Sequence, residues 1–331
     1  MSLQDLTPAD LQSILKFSVD LARKAGEVIL QGSEAIRSLS SQSGVGEKKN
    51  SVDLVTEYDV KVEELVGREI KATYPDFGFV GEESYSAGVR PTLTDAPTFC
   101  VDPIDGTTNF VHGFPFVCIS IGLIYKRRPV LGVVYNPFID HLYTGIKGQG
   151  SYLTRGGSLA QPQRLPLTSS AKPLPSLNGA LVAVEWGSDR SEAAIATKSS
   201  SFARLAGNPE QNVVGGRMVH SLRSMGSAAL NFSFVAQGAL DIYWEIGCWA
   251  WDVCAGIVIA EEAGGLVTGS RDAFLASCKD GTFGDVTEDI LTGRKYVVVR
   301  SIADTPNESC KEAQKRIINE LYDTIQEVEP N

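Results

Sequence analysis

The stretch FCVDPIDGTTNFVHGFPF, residues 99–116, sets Asp102 and Asp105 three residues apart and follows them with Gly106, Thr107 and Thr108, directly after an apolar run. Carboxylates so close repel one another unless water or a cation resolves the conflict. A second pair, Glu82 and Glu83, follows the preceding apolar run FGFV. Where neighbouring strands run parallel their ends open on one crevice, so both acid clusters have a common place to meet. Hard divalent cations take oxygen ligands, and magnesium typically accepts one or two carboxylates together with waters and a substrate phosphate. Asp102, the Ile104 carbonyl, Asp105 and a glutamate from the neighbouring strand end supply such a set. Residues 106–108 would then open a short helix whose free N–H groups face an anion, with Gly106 letting the backbone approach it. Taken singly, D-P and D-G dipeptides only mark turns; the combination points to a metal and a phosphate.

The elements that must position these residues are readable from periodicity. Thr7-Pro8-Ala9-Asp10 starts a helix in which Leu11, Ile14, Leu15, Ala22, Ala25 and Ile29 recur at helical spacing until Gly32. A Ser/Gly-rich loop at 38–51 turns basic at Lys48 and Lys49, and a second helix spans about Tyr58 to Thr73, stopping before Pro75. Strands FGFV and TFCV each run straight into acids, and three β-branched and aromatic runs between Phe116 and Tyr152 predict an antiparallel meander. Residues 155–179, rich in Gly, Ser, Pro and Gln, divide an N-terminal α+β sub-domain over 1–155 from a C-terminal α/β sub-domain over 178–331 within one catalytic unit. In the second half, GALVAVEW, ALDIYWEI and KYVVVRS read as strands. GSAALNFSFVAQGAL, WDVCAGIVIAEEAGG and the charged terminal segment from about Glu308 to Val328 read as helices. Residues 190–216 are polar and Gly-rich and show no usable period. The mixture predicts layered α and β elements.

Composition narrows the function classes. With 331 residues, 43% hydrophobic and 21% charged, the chain has enough apolar material for one large or two ordinary cores. A net charge of -10 argues against nucleic acid or an anionic membrane as the main partner. The six cysteines are scattered through mostly apolar runs without a C-x-x-C pair and read as reduced core residues. Acids in the N-terminal MSLQDLTPADLQSILKF, where a signal peptide would be basic, make the cytoplasm the expected compartment.

GEES, DPIDGTTNF and, far downstream, WDVCAG resemble the three metal-binding motifs of the inositol monophosphatase family, magnesium-dependent and lithium-sensitive phosphatases of inositol and sugars. DLVTEYD (53–59), GSAALN and WEIGCWAWD extend the similarity over most of the chain, and the tryptophan-rich last segment looks like the fungal branch. The loops around 36–50, 155–178, 190–216 and 270–293 match poorly. The resemblance implies a homodimer and an α/β (α+β mixed) fold, a layered αβαβα sugar-phosphatase arrangement with two sub-domains. It implies Glu82, Asp102, the Ile104 carbonyl, Asp105 and Asp252 as Mg2+ ligands, with Glu83 close behind them. Asp252 by itself would read as an acid favoured by the helix dipole. Thr107 and Asp59 resemble the pair that activates the attacking water, with Glu82 counted beside them as catalytic. A threonine hydroxyl that donates to a carboxylate is free to accept a hydrogen bond from that water. Gly106 and Thr107 would hold the phosphate near Asp105 and Asp252, while Ser188, Gly226, Ser227, Ala228 and Glu245 would face the hydroxyls of a polyol. Lys48 matches a basic residue near the metals.

The implied reaction is hydrolysis of myo-inositol monophosphates to inositol and phosphate. Trp249 and Ala250 stand where animal members carry His-Cys, so other small esters remain open as substrates: a bisphosphorylated nucleotide, fructose bisphosphate or histidinol phosphate. A non-catalytic paralogue linked to fungal quinate metabolism is the reading from another class.

Overall fold

Two sheets organise the chain in the computed structural model, which describes residues 5–38, 45–48, 54–157, 159–168 and 170–331. Most of the Ser/Gly-rich loop expected at 38–51, Lys49 included, lies outside the described residues, as does Asp53 of DLVTEYD. Helix α1 (Pro8–Ser38) opens on Thr7, whose N–H and hydroxyl donate to Asp10, and it runs past Gly32, where it was expected to end. Gly32 marks a close approach instead: a Cβ there would lie 2.6 Å from the Tyr58 ring. Strands β1 (Val45–Glu47) and β2 (Leu54–Thr56) pair antiparallel and lead into α2 (Glu57–Thr73).

Then follow β3 (Gly78–Gly81), α3 (Glu82–Ser86), β4 (Thr98–Asp105), α4 (Thr107–His112), β5 (Cys118–Tyr125), β6 (Arg128–Asn136), β7 (His141–Ile146), β8 (Gly150–Arg155) and β9 (Gln163–Arg164). Strands β3 to β9 form a seven-stranded sheet in sequence order. Its first pair is parallel and the rest antiparallel, so the expected meander is present and extends through β9 into the connecting segment.

The second half comprises β10 (Leu181–Val184), α5 (Glu192–Ala206), β11 (Ser221–Arg223), α6 (Ala228–Gln237), β12 (Ile242–Ile246), α7 (Ala250–Glu262), β13 (Leu266–Thr268), α8 (Arg271–Asp280), α9 (Glu288–Thr292), β14 (Lys295–Val299) and α10 (Cys310–Tyr322). Its five-stranded sheet has the order β11-β10-β12-β14-β13. Helix α5 occupies the region without a readable period. Its buried side is Ala194, Lys198, Ser201 and Leu205, helical in spacing but half polar, which is why hydropathy hid it.

The layers follow from which face each residue serves. Along β14, Tyr296 and Val298 join one core while Val297 and Val299 join another, the period of two expected of a strand buried on both faces. Helices α1 and α2 cover one face of the seven-stranded sheet. Helices α6 and α7 fill the space between the sheets, and α5, α8 and α10 cover the far face of the second. The order is αβαβα. Helix α7 lies directly on β5, β6 and β7 because Gly122, Gly132 and Gly145 face Cys254, Ala255 and Ile259; a Cβ on Gly132 would overlap the Ala255 carbonyl.

Candidate active site

Strand period and one irregularity bring the acids together. Phe99 and Val101 of β4 face α1 and α2, whereas Cys100, and with it Asp102, turns toward α7. A three-residue step along a regular strand would send Asp105 to the opposite face. Asp102 instead lies opposite Ser120 and Asp105 opposite Cys118, so one extra residue bulges between them and both carboxylates reach one side. The acids were expected just beyond the strand; they sit in its irregular last residues. Asp252 enters from the first turn of α7, where its Oδ2 accepts the Trp249 N–H at 2.5 Å. One oxygen from each of Asp102, Asp105 and Asp252 lies within 4.8 Å of the others.

These acids carry more negative charge than their surroundings offset. Asp105 accepts the Ser227 hydroxyl at 2.6 Å, the Ala229 N–H at 2.7 Å and the Ala228 N–H at 3.2 Å, all at the start of α6. Burial nonetheless pushes its carboxyl up to about 6. Burial and then the charges of Glu82 and Asp105 push Asp252 up to about 8 and Asp102 well above the usual carboxylate range. An oxygen-only donor set, two of its carboxylates buried and each raised by burial and by the acids around it, fits a hard divalent cation.

Glu82, at the first turn of α3, is near enough to raise all three aspartates, but the carboxylate trio does not include it. Its Oε1 pairs with Lys48 Nζ at 2.8 Å, and the same ammonium lies 2.7 Å from Glu83 Oε1. Burial and the Glu82 charge push Glu83 up to about 7 even so. The Ile104 N–H donates to Asp102 at 2.9 Å, and the Ile104 carbonyl accepts from Thr107.

Thr107 opens α4 with its hydroxyl 3.2 Å from both Asp59 Oδ1 and the Ile104 carbonyl. Asp59 is 1% exposed and oriented by the N-cap of α2, its Oδ2 accepting the Thr56 N–H at 2.8 Å and the Thr56 hydroxyl at 2.6 Å. Burial raises it to about 6. Gly106 has φ +96, and a Cβ there would lie 2.9 Å from the Phe116 carbonyl and 3.0 Å from that of Gly226, so this turn admits only glycine. Asn109, within the quoted motif but assigned no role from sequence, braces it: Nδ2 donates to the Phe116 and Met225 carbonyls at 2.8 and 2.7 Å.

The residues expected to face a polyol divide into two places. Gly226, Ser227 and Ala228 adjoin the acids, where Ser227 and Ala228 hold Asp105. Glu245, 4% exposed on β12, accepts the Ile246 N–H at 2.7 Å and the Tyr243 hydroxyl at 3.1 Å, and burial pushes it up to about 7. Ser188 lines a cavity of about 240 Å³ together with Lys198, Ile246, Gly247 and Arg294. Sequence reasoning missed Glu185, which accepts from Met225 N–H (2.8 Å), Gly226 N–H (2.9 Å) and Asn231 (2.9 Å) and so builds the turn that grips Asp105. Its place at the end of GALVAVEW, like Glu82 after FGFV, was the available signal. Trp249 stands between the Arg294 guanidinium, 3.8 Å over its ring, and Trp251, stacked at 5.3 Å, with Tyr85 of α3 against both indoles.

A two-sheet αβαβα protein with an acid trio, two of its members buried, and an adjacent threonine–aspartate pair is a defined class, and comparison with known proteins says which. A family model described as "Inositol monophosphatase family" matches residues 10–326, and the chain belongs to that family. It is 40% identical to "Protein qutG" of Emericella nidulans over 97% of this chain and 95% of that one. With "Inositol monophosphatase 1" of Saccharomyces cerevisiae it shares 37% identity over 96% and 97%. The crystal structure of extragenic suppressor protein suhB from Bartonella henselae superimposes with a TM-score of 0.68 at 26% identity, covering 96% of this chain and 100% of that one. Among the described residues, no helix is long and apolar enough to cross a membrane.

Proposed function

We propose that the protein is a magnesium-dependent phosphomonoesterase that hydrolyses small polyol phosphates, myo-inositol monophosphates first among them. The observation that carries this reading is the convergence of Asp102, Asp105 and Asp252 within 4.8 Å beside the Thr107 to Asp59 hydrogen bond. Those three acids, Glu82 and the Ile104 carbonyl would hold the cation, which when bound supplies charge neutralisation and polarisation of the ester. The Thr107 hydroxyl, donating to Asp59, keeps its lone pairs for the proton of an attacking water. The Gly106 and Thr107 amides hold the phosphate oxygens, while Glu245, Ser188 and the Gly226–Ala228 turn face the alcohol. Water adds to phosphorus, the ester P–O bond breaks, and the alcohol leaves with a proton. A homodimer in the cytoplasm acting on small molecules, not on nucleic acid or membrane, completes the proposal.

The test is phosphate release from myo-inositol 1-phosphate in excess Mg2+, beside a panel of other phosphomonoesters and beside Asp102→Asn. Turnover is expected, with the variant lowered by about a thousandfold or more, and millimolar lithium is expected to slow the wild type. The 40% identity to "Protein qutG" and the Trp249 stack favour a second reading, the same chemistry on another ester. Release from another panel member alone would select it. No release from any ester, with Mg2+ still raising the melting temperature, would make the protein a binding paralogue and end the phosphatase reading.

A further inference from the structure

Lysine is almost never fully buried unless paired, and Lys198 is 3% exposed. It rises from α5 and donates to the carbonyls of Glu185 at 3.0 Å, Trp186 at 2.9 Å and Ile246 at 3.4 Å. Its Nζ lies 3.6 Å from Glu245 Oε1. Burial and the Glu185 charge disfavour the ionised form of Glu245; against them stand the Lys198 charge first and then the bonds from the Ile246 N–H and the Tyr243 hydroxyl, so Lys198 is the one cationic group beside it among these partners. Gly187, at φ +66, passes over the pair so closely that a Cβ would lie 3.1 Å from Nζ and 3.9 Å from Glu245 Oε1. The cavity beside them is lined by Lys198 and Ser188. Glu185, whose carbonyl Lys198 holds, is the residue whose carboxylate orders the Gly226 turn.

We propose that Lys198 is a positioning residue for substrate selection: it fixes Glu245 as a charged acceptor, so that esters of polyols with adjacent hydroxyls are taken in preference to esters without them. The inference rests on the phosphatase reading of the site. A carboxylate accepts from both hydroxyls of a diol, whereas a carboxyl that has taken up a proton spends one oxygen as a donor. A site built to bond a hydroxyl rejects analogues lacking it strongly, because its own polar group is then left unpaired.

The test compares wild type, Lys198→Met, Glu245→Gln and the double variant on myo-inositol 1-phosphate and on p-nitrophenyl phosphate, whose alcohol bears no further hydroxyl. The ratio of kcat/KM for the polyol ester to that for the aryl ester is expected to fall about tenfold or more in Lys198→Met, chiefly through KM. Glu245→Gln is expected to lower it likewise, and the double variant no further, because the two residues act through one another. Equal losses on both esters, or additive losses in the double variant, would mean that the lysine only ties strand ends together, and the proposal would be wrong. Should Lys198→Met not fold, the double variant leaves no unpaired buried charge; its ratio must then match that of Glu245→Gln. If wild type hydrolyses neither these two nor any other ester of the panel, the phosphatase reading fails separately. Calorimetry then decides: Lys198→Met must weaken myo-inositol 1-phosphate at least about tenfold more than inorganic phosphate, and equal weakening overturns the assignment.

Discussion

At Thr107 one hydroxyl proton faces two acceptors at the same 3.2 Å, the Asp59 carboxylate and the Ile104 carbonyl. The carboxylate is the stronger acceptor, and donation to it leaves the oxygen open toward the acids. Thr107→Ala is therefore expected to lower kcat by about 10²–10⁴ with little change in KM, while Thr107→Ser keeps most of the rate. Steady-state kinetics on the best ester of the panel checks this, and an alanine variant with undiminished kcat would remove Thr107 from the mechanism. Asn109 has a different part. It joins the turn at Gly106 to the one at Gly226 through two carbonyls, and Asn109→Ala leaves both short of a donor. A loss of about 1–3 kcal/mol in urea unfolding is expected; unchanged stability would show that the brace is idle.

Among elements, α7 decides most. Its first turn presents Asp252, its middle lies on three glycines of the seven-stranded sheet, and its last turn carries Glu261. Gly132→Ala sets a methyl against the Ala255 carbonyl, backbone against backbone, with no flexible side chain to yield. The expected cost is about 3 kcal/mol, read as a lower urea midpoint, together with weaker Mg2+ stabilisation as Asp252 is displaced. Glu261 gives the pH dependence. Burial pushes its carboxyl up to about 7 from 4.5, with Lys147 at 3.9 Å offsetting only part. Because the folded-state value is the higher, the contribution of Glu261 to stability is full below 4.5 and is lost as pH rises through 7. Glu261→Gln has no such slope, so its stability relative to wild type should improve by about 1–3 kcal/mol between pH 4 and pH 8. Parallel urea curves for the two proteins across that range would contradict the assignment.

Across the whole molecule, each half has a core to itself, but a further core contains residues of both sheets and of α6 and α7 between them, so the two halves share part of their interior. We expect a single unfolding transition on heating, moved upward by Mg2+ at about 2.7 kcal/mol for a concentration one hundredfold above Kd and moved back by a chelator. Two resolved transitions would instead mark separable sub-domains. The sequence by itself determined the alternation of strands and helices, the antiparallel meander and the acids of the three motifs. Those signals are local: period two or 3.6, caps, and several ligands packed into one turn. Only the tertiary structure decided that a bulge turns Asp102 and Asp105 to one side, that Lys48 bridges Glu82 and Glu83, and that Glu185 and Asn109 brace the turns around Asp105. It alone placed Lys198 beside Glu245, from a helix whose buried face is half polar. A buried charge is tolerable only through partners on other elements, and a partner 47 residues away, as Glu245 is from Lys198 (245 minus 198), leaves no mark on local periodicity.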